Sequence, residues 1–272
     1  FFLGVLIAWT IWPNASAPFW GMAISATIVC FWEGGDVVRL SKGGQFDWDR
    51  AKRYFTYGAP VALALLLEIA LSSGDRFMIA YYINNEAVGA YAAGYGVADQ
   101  TIRMLCMWGA MAGAPLVMAA YERNGPSGVK EPGAAMAKML MLVALPAAAG
   151  IALVARPLAE FMIGVELREQ AIHIIPWISL AGLLNGLVIY YFSECFQLSG
   201  KTGLRAALML APAILNVILN VILLPRIGVM GAVYATVACY AFALVLVAGV
   251  GRRFVPLPIP GLDLAKVMLA CG

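Results

Sequence analysis

The chain has 272 residues, of which 62% are hydrophobic and 12% charged, with a mean hydropathy of +0.85 and a formal net charge of +3. Soluble globular chains average about 45–50% apolar and about 25% charged residues, so this composition excludes a soluble domain, a disordered chain and a secreted disulfide scaffold. The small net charge, carried between apolar runs, also excludes a nucleic-acid binder. The composition predicts a multi-span membrane protein.

Apolar runs of membrane-spanning length follow one another along the chain, and a helix needs about 20 such residues to cross a bilayer. They predict seven complete spans, at residues 18–38, 56–83, 86–121, 134–154, 171–198, 204–224 and 229–250. Partial spans are predicted at 1–12 and from 262 onward, so the chain is expected to be a fragment cut at both ends. The sequence lacks the ten-residue alternation of membrane β-barrels. The expected fold class is all-α, a polytopic helical membrane bundle.

The basic residues in the loops and at the ends of the spans fall mostly on one set of loops. Thirteen of them share one predicted side of the membrane: Arg39, Lys42, Arg50, Lys52, Arg53, Arg123, Lys130, Lys138, Lys201, Arg205, Arg252, Arg253 and Lys266. The opposite set carries Arg156, Arg168 and Arg226. Because loops rich in Lys and Arg remain in the cytoplasm, the first set is expected to be cytoplasmic and the loop at 156–170 to face outward.

Ionisable and polar residues inside two neighbouring spans form a predicted buried cluster, because such residues usually face a bundle interior or a wet cavity. The candidates on spans 56–83 and 86–121 are Glu68, Asp75, Arg76, Tyr95, Asp99 and Arg103. At about 1.5 Å per helical residue, Glu68 is expected to meet Arg103. Asp99 is expected to lie between Arg103 and an Asp75–Arg76 pair.

A third polar site is predicted on span 171–198, where Tyr190, Glu194 and Gln197 share a helical face. Two interpretations of the polar residues remain open: a structural ion-pair network, or the lining of a site for an ion or an anionic headgroup. Because acidic residues outnumber the two arginines, the sequence suits a coupling cation as well as a phosphate.

Small-residue pairs and interior prolines favour a transporter over an inert anchor. The pairs Gly109/Gly113 and Gly182/Gly186 would let helices approach closely. Interior prolines free backbone groups and allow bends, and they occur in five spans: Pro60, Pro115, Pro146, Pro176 and Pro212.

Enzymatic chemistry has little support in the sequence. The run Gly200-Lys201-Thr202 lacks the upstream glycine and strand of a phosphate-binding loop, and neither G-x-S-x-G nor H-E-x-x-H occurs. A membrane-embedded polymerase or ligase is disfavoured because the longest outer loop, 156–170, has little chemistry. No catalytic residue, metal site or cofactor is expected, and the protein is expected not to be an enzyme.

Several stretches together resemble a known family. Residues 73–99, SGDRFMIAYYINNEAVGAYAAGYGVAD, resemble the segment joining the first two helices of the second bundle of bacterial polysaccharide flippases. Residues 142–164, 198–203 and 216–245 are similar to that family's third helix and outer loop, its inner turn, and its Asn-rich helix with the following Pro-x-x-Gly turn. These flippases belong to the multidrug/oligosaccharidyl-lipid/polysaccharide (MOP) exporter superfamily.

The resemblance implies a MATE-like fold of two six-helix bundles around a central cavity. It implies a truncated first bundle at 1–38, a basic cytoplasmic loop at 39–53, a complete second bundle at 54–251, and a loop with the start of another helix at 252–272. It also implies polysaccharide export in the bacterial inner membrane. The cargo would be an undecaprenyl-pyrophosphate-linked oligosaccharide, flipped from the cytoplasmic to the periplasmic leaflet by alternating access.

The resemblance also assigns roles to the polar candidates. Arg76 and Arg103 would hold the pyrophosphate, for which guanidinium geometry is apt. The residues implied for proton or sodium coupling and the polar cavity are Glu68, Asp75, Asp99, Glu194, Tyr95 and Gln197. Expected partners are the lipid-linked oligosaccharide, the bilayer, and polysaccharide polymerase or assembly proteins. Two alternatives on the same fold stay open: a cation-coupled drug or small-molecule exporter, and a lipid II flippase.

Overall fold

The structure is a computed structural model that describes residues 6, 17–41, 44 and 47–258. All regular secondary structure within these residues is helical. The principal helices are α1 Ala17–Ser41, α2 Trp48–Tyr82, α3 Asn85–Asn124, α4 Lys130–Leu153, α5 Ala155–Met162, α6 Val165–Leu187, α7 Glu194–Leu198, α8 Thr202–Ile227 and α9 Val229–Gly251. A 3₁₀ turn, Gly125–Ser127, follows α3, and a π-helical segment, Val188–Phe192, joins α6 to α7.

The expected all-α polytopic membrane bundle is confirmed. Five described stretches are long and apolar enough to cross a membrane: Asn85–Ser127, Lys130–Leu153, Val165–Leu198, Thr202–Ile227 and Val229–Gly251. The other two complete spans predicted from the sequence fall on α1 and α2, of 25 and 35 residues. Many large apolar side chains are exposed, such as Phe77 and Val245. Such surfaces suit contact with lipid, in which each helix satisfies its own backbone hydrogen bonds.

The chain divides into two compact units, Phe1–Arg53 and Tyr54–Gly272. The connector predicted at 39–53 is shorter than expected, since α1 continues to Ser41 and α2 begins at Trp48. Asp47 starts α2 because its carboxylate accepts hydrogen bonds from the backbone N–H groups of Asp49 and Arg50, at 3.0 and 3.1 Å. The partial spans at 1–12 and from 262 lie outside the described residues, apart from Leu6.

The segment at 156–170 was predicted to be a loop, and this prediction is wrong. It contains most of α5 and the first turn of α6. Arg168 holds the end of α5, since its Nη2 donates to the backbone oxygen of Glu160 at 2.9 Å and to that of Ile163 at 3.4 Å. A cation at the C-terminus of a helix satisfies carbonyl groups that lack partners within the helix.

The core of the second unit forms where α3 crosses α6 and α4, and α9 packs on α6 and α8. Glycine makes these crossings possible. A Cβ atom at Gly186 would lie 2.5 Å from Sγ of Cys106, and one at Gly109 would lie 2.6 Å from Cδ2 of Leu140. The close approach predicted at both small-residue pairs is therefore confirmed.

A tight turn joins α8 to α9, and it brings residues far apart in the sequence together. Gly228 adopts a φ of 63°, a left-handed conformation that glycine tolerates best. A Cβ atom at Gly231 would lie 2.7 Å from the backbone carbonyl of Leu223, so the two helices meet backbone to backbone. This hairpin sets Asn220 of α8 opposite Thr236 of α9.

Candidate functional site

A buried carboxylate forms the centre of the first candidate site. The Asp75 cluster consists of Asp75 on α2, Tyr91 on α3, Asn216 and Asn220 on α8, and Thr236 on α9. Oδ2 of Asp75 accepts hydrogen bonds from Oη of Tyr91 at 2.7 Å and from Oγ1 of Thr236 at 2.6 Å. Oδ1 accepts one from Nδ2 of Asn220 at 2.8 Å. One carboxylate thus joins four helices.

The Asp75 cluster is rich in oxygen atoms and lacks a basic partner. Asp75 is 0% exposed and takes part in neither of the described salt bridges, which are Arg50–Asp47 and Arg103–Asp99. Oδ1 of Asn220 is buried without a hydrogen-bond donor among the described residues. A buried carboxylate is costly unless its charge is compensated, so this arrangement suits a bound proton or a small cation with oxygen ligands.

A polar pocket of about 170 Å³ forms the second candidate site. We call it the arginine pocket; it is lined by Ser73, Arg76, Tyr95, Gly96, Asp99, Gln100, Arg103 and Asn185. Three helices provide this lining: α2 contributes two of these residues, α3 five, and α6 contributes the buried Asn185 near its end.

The two arginines of the pocket are in different electrostatic situations. Nε of Arg103 lies 3.9 Å from Oδ2 of Asp99, and its guanidinium also donates to Gln100. Nε of Arg76 is buried and has no acceptor among the described residues. The Arg76 guanidinium carbon lies 5.9 Å from the ring centroid of Tyr95, within the range of a cation–π contact. Among the charged lining side chains, Asp99 offsets the charge of Arg103 and that of Arg76 remains. The pocket therefore carries a net positive charge.

Two tyrosines on α3 connect the Asp75 cluster with the arginine pocket. Tyr91 belongs to the cluster and Tyr95 lines the pocket, and their ring centroids are 5.6 Å apart. Oη of Tyr95 is also 3.4 Å from Oη of Tyr240 on α9, a hydrogen bond in which either hydroxyl can donate. The two sites are therefore neighbours with separate linings.

The sequence-based prediction of a single charge cluster is wrong in one respect. Asp75 and Arg76 do not pair: Asp75 bonds to α3, α8 and α9, whereas Arg76 lines the pocket with Asp99 and Arg103. The physical reason is that consecutive helical residues point about 100° apart, so adjacent side chains enter different environments. With Asp75 and Glu194 both outside the pocket, its described lining holds two arginines and one aspartate rather than the expected acidic excess.

The remaining predicted residues lie elsewhere. Glu194 is partly buried and interacts electrostatically with Arg205 on α8, and Gln197 is exposed; neither lines the arginine pocket. The π-helical segment interrupts the face that Tyr190 was expected to share with them. Glu68 lies on α2, but its side chain is outside the described residues, so its expected contact with Arg103 is untested.

Several site residues were not among the sequence candidates. Asn216 and Asn220 could have been found, since two amides one turn apart in an apolar helix are a polar signal of the kind that singled out Asp75 and Asp99. Asn185 stands alone in an apolar stretch. Thr236 gives no sequence signal, because an isolated threonine is ordinary in a membrane helix.

Comparison with known protein families gives a match over much of the chain. A family model described as "Polysaccharide biosynthesis protein" matches residues 6–171, which is more than half of the chain and includes α1 through α5. Neither the curated proteins nor the solved structures contain a match. The chain belongs to the polysaccharide biosynthesis protein family.

Proposed function

We propose that the protein is a flippase for a lipid-linked oligosaccharide. Family membership indicates a role in polysaccharide synthesis or export, and the multi-pass helical fold is suited to transport. The proposed cargo is an undecaprenyl-pyrophosphate-linked oligosaccharide that moves from the cytoplasmic to the periplasmic leaflet of the bacterial inner membrane. Transport proceeds by alternating access, with no catalytic residue and no cofactor, within a two-bundle MOP-like exporter of which this chain provides the second bundle.

The arginine pocket carries this proposal. Nε of Arg76 is buried without an acceptor, and leaving a buried donor unsatisfied costs about 1–3 kcal/mol. A phosphate oxygen would satisfy that donor, and guanidinium groups bind phosphate in a bidentate manner. The side chain of Arg103 is 47% exposed, so its guanidinium can give up its contacts with Asp99 and Gln100 and bind an entering anion instead.

The Asp75 cluster supports coupling to a proton or sodium gradient. Three donors hold a fully buried carboxylate, and one nearby oxygen acceptor, Oδ1 of Asn220, has no donor among the described residues. A proton or a sodium ion on Asp75 would neutralise the buried charge at little structural cost. The contact between Tyr91 and Tyr95 makes the two proposed sites neighbours, which supports coupling between a cation and an anionic headgroup.

Transport by arginine variants tests the cargo site. Full-length protein would be reconstituted into vesicles with a fluorescent undecaprenyl-pyrophosphate oligosaccharide, and movement between leaflets would be measured by quenching. Arg76→Gln and Arg103→Ala are expected to abolish transport while the protein still inserts. Arg226→Gln, at an exposed position at the end of α8, is the matched control and should transport normally. Wild-type transport by both pocket variants would overturn the proposed cargo site.

Transport under imposed gradients tests the coupling site. Asp75→Asn keeps the size of the side chain but removes its charge, so transport by this variant should no longer respond to a sodium or proton gradient. Glu122→Gln, exposed in the last turns of α3, is the control. Gradient-driven transport by Asp75→Asn would contradict coupling at this carboxylate. Transport of a cationic drug in place of the lipid would instead favour the alternative exporter.

A further inference from the structure

A second concave site lies away from the arginine pocket and shares no lining residue with it. This groove of about 410 Å³ runs between α4, the π-helical segment and the end of α9. We call it the α4/α9 groove. Small residues form part of its wall, notably Ala137, Ala248 and Gly249, and a Cβ atom at Gly249 would meet nothing within 4 Å. Larger apolar side chains, such as Met141, Phe192 and Leu244, complete the lining.

The groove is apolar along its length and positive at one end. Arg252 is the single charged residue of the lining, and the one other polar group, Oη of Tyr191, already donates to the backbone oxygen of Pro258 at 2.7 Å. Nε of Arg252 donates to the backbone oxygen of Leu257 at 3.0 Å. The described residues provide no acceptor for its two terminal nitrogens. Arg253, the next residue in the chain, is exposed and does not line the groove.

The dimensions of the groove match one leaflet of a bilayer. Arg252 directly follows α9 and lies eight positions after Leu244, which is about 12 Å at a helical rise of roughly 1.5 Å per residue. Half of the hydrocarbon core measures about 15 Å. A molecule with an acyl chain along the groove would therefore carry its headgroup to Arg252, at the end of α9 where the loop charges indicate the cytoplasm.

We infer that the α4/α9 groove binds an anionic phospholipid of the cytoplasmic leaflet, with an acyl chain in the groove and its phosphate on Arg252. Charge complementarity favours this occupant, since the ammonium group of a zwitterionic lipid offsets the attraction of its phosphate for the arginine. The cytoplasmic leaflet is the anionic one, and basic pockets between membrane helices on that side suit anionic headgroups. The cargo is a poorer match, because its headgroup must leave this end of the membrane during transport.

Native mass spectrometry of the full-length protein in mild detergent tests the inference. The probes are phosphatidylglycerol and phosphatidylcholine with identical acyl chains, together with undecaprenyl phosphate as the isoprenoid competitor. Phosphatidylglycerol should be retained selectively. Arg252→Gln should weaken its retention about tenfold, the effect of losing one hydrogen bond to a charged group. Gly249→Phe should abolish retention by filling the groove.

Matched variants separate these effects from misfolding. Arg226→Gln changes an exposed arginine at the other end of the bundle, and Gly150→Phe adds the same ring at a helical glycine with open space around it. Both controls should retain phosphatidylglycerol as the wild type does. Three results would each overturn the inference. The first is equal retention of the two phospholipids, and the second is retention that neither groove variant changes. The third is the absence of bound lipid because residues 259–272 or a second copy cover the groove. Preferential binding of undecaprenyl phosphate would overturn it as well, because the groove would then be part of the cargo path.

Discussion

The crossing of α3 and α6 provides a quantitative test of the fold. Gly186→Ala would place a methyl carbon 2.5 Å from Sγ and 3.2 Å from Cβ of Cys106. Favourable contacts need about 3.5–4.0 Å, so the helices must separate by up to roughly 1 Å. Overpacking of this kind costs about 1–3 kcal/mol, whereas replacing glycine by alanine in a helix gains about 0.5–1 kcal/mol. We expect a net loss of about 1–2 kcal/mol.

The assay is the thermal unfolding temperature of the purified full-length protein, measured in one detergent for all variants. A loss of 1 kcal/mol corresponds to about 2–4 °C in a domain of this size. Gly150→Ala is the control, because nothing lies within 4 Å of its Cβ position, and it should be neutral or slightly more stable.

A compensating substitution tests whether contact with the sulfur atom of Cys106 causes the loss of stability in Gly186→Ala. Cys106→Ala removes Sγ, so the double variant should recover about 1–2 kcal/mol of the loss caused by Gly186→Ala. The reasoning fails if Gly186→Ala unfolds at the same temperature as Gly150→Ala. It also fails if Cys106→Ala adds its own cost without any recovery.

Three further predictions concern other contacts. Gly231→Ala should lower the unfolding temperature more than Gly186→Ala, because its methyl group meets a backbone carbonyl of α8 that cannot rotate away; equal losses would contradict this. Arg168→Gln should raise amide hydrogen exchange in α5 about fivefold to tenfold, and unchanged exchange would show that this contact does not hold the helix. Tyr91→Phe should reduce the free energy of unfolding by about 1.5–3 kcal/mol, whereas Tyr81→Phe, exposed on α2, should have no effect in the same denaturation assay.

Hydrophobic runs were sufficient to predict the helices, because in a membrane the length and composition of an apolar stretch nearly determine its structure. The errors occurred at helix ends, where side-chain caps decide. The segment 156–170 contains a helix because Arg168 supplies a partner for its last carbonyl groups. Residues 48–53 are helical because Asp47 caps them.

The candidate site was predicted in part. Helical periodicity identified Asp99 and Arg103 as one face, and the structure pairs them. Periodicity within one helix does not reveal which neighbour that helix packs against. The partners of Asp75 lie 145 and 161 residues away on α8 and α9, and the bundle alone brings them together. The adjacent Asp75 and Arg76 were therefore assigned to one cluster when they belong to two sites.

The adjacency of these two residues has a thermodynamic consequence. Asp75 is the centre of the Asp75 cluster and Arg76 lines the arginine pocket, yet the two residues are adjacent on one helix. A rotation or shift of α2 displaces both side chains at once. If a cation at Asp75 and an anionic headgroup at Arg76 each bind one position of α2 more tightly, each must change the affinity for the other by the same factor. This reciprocity can be measured at equilibrium, in protein that transports nothing.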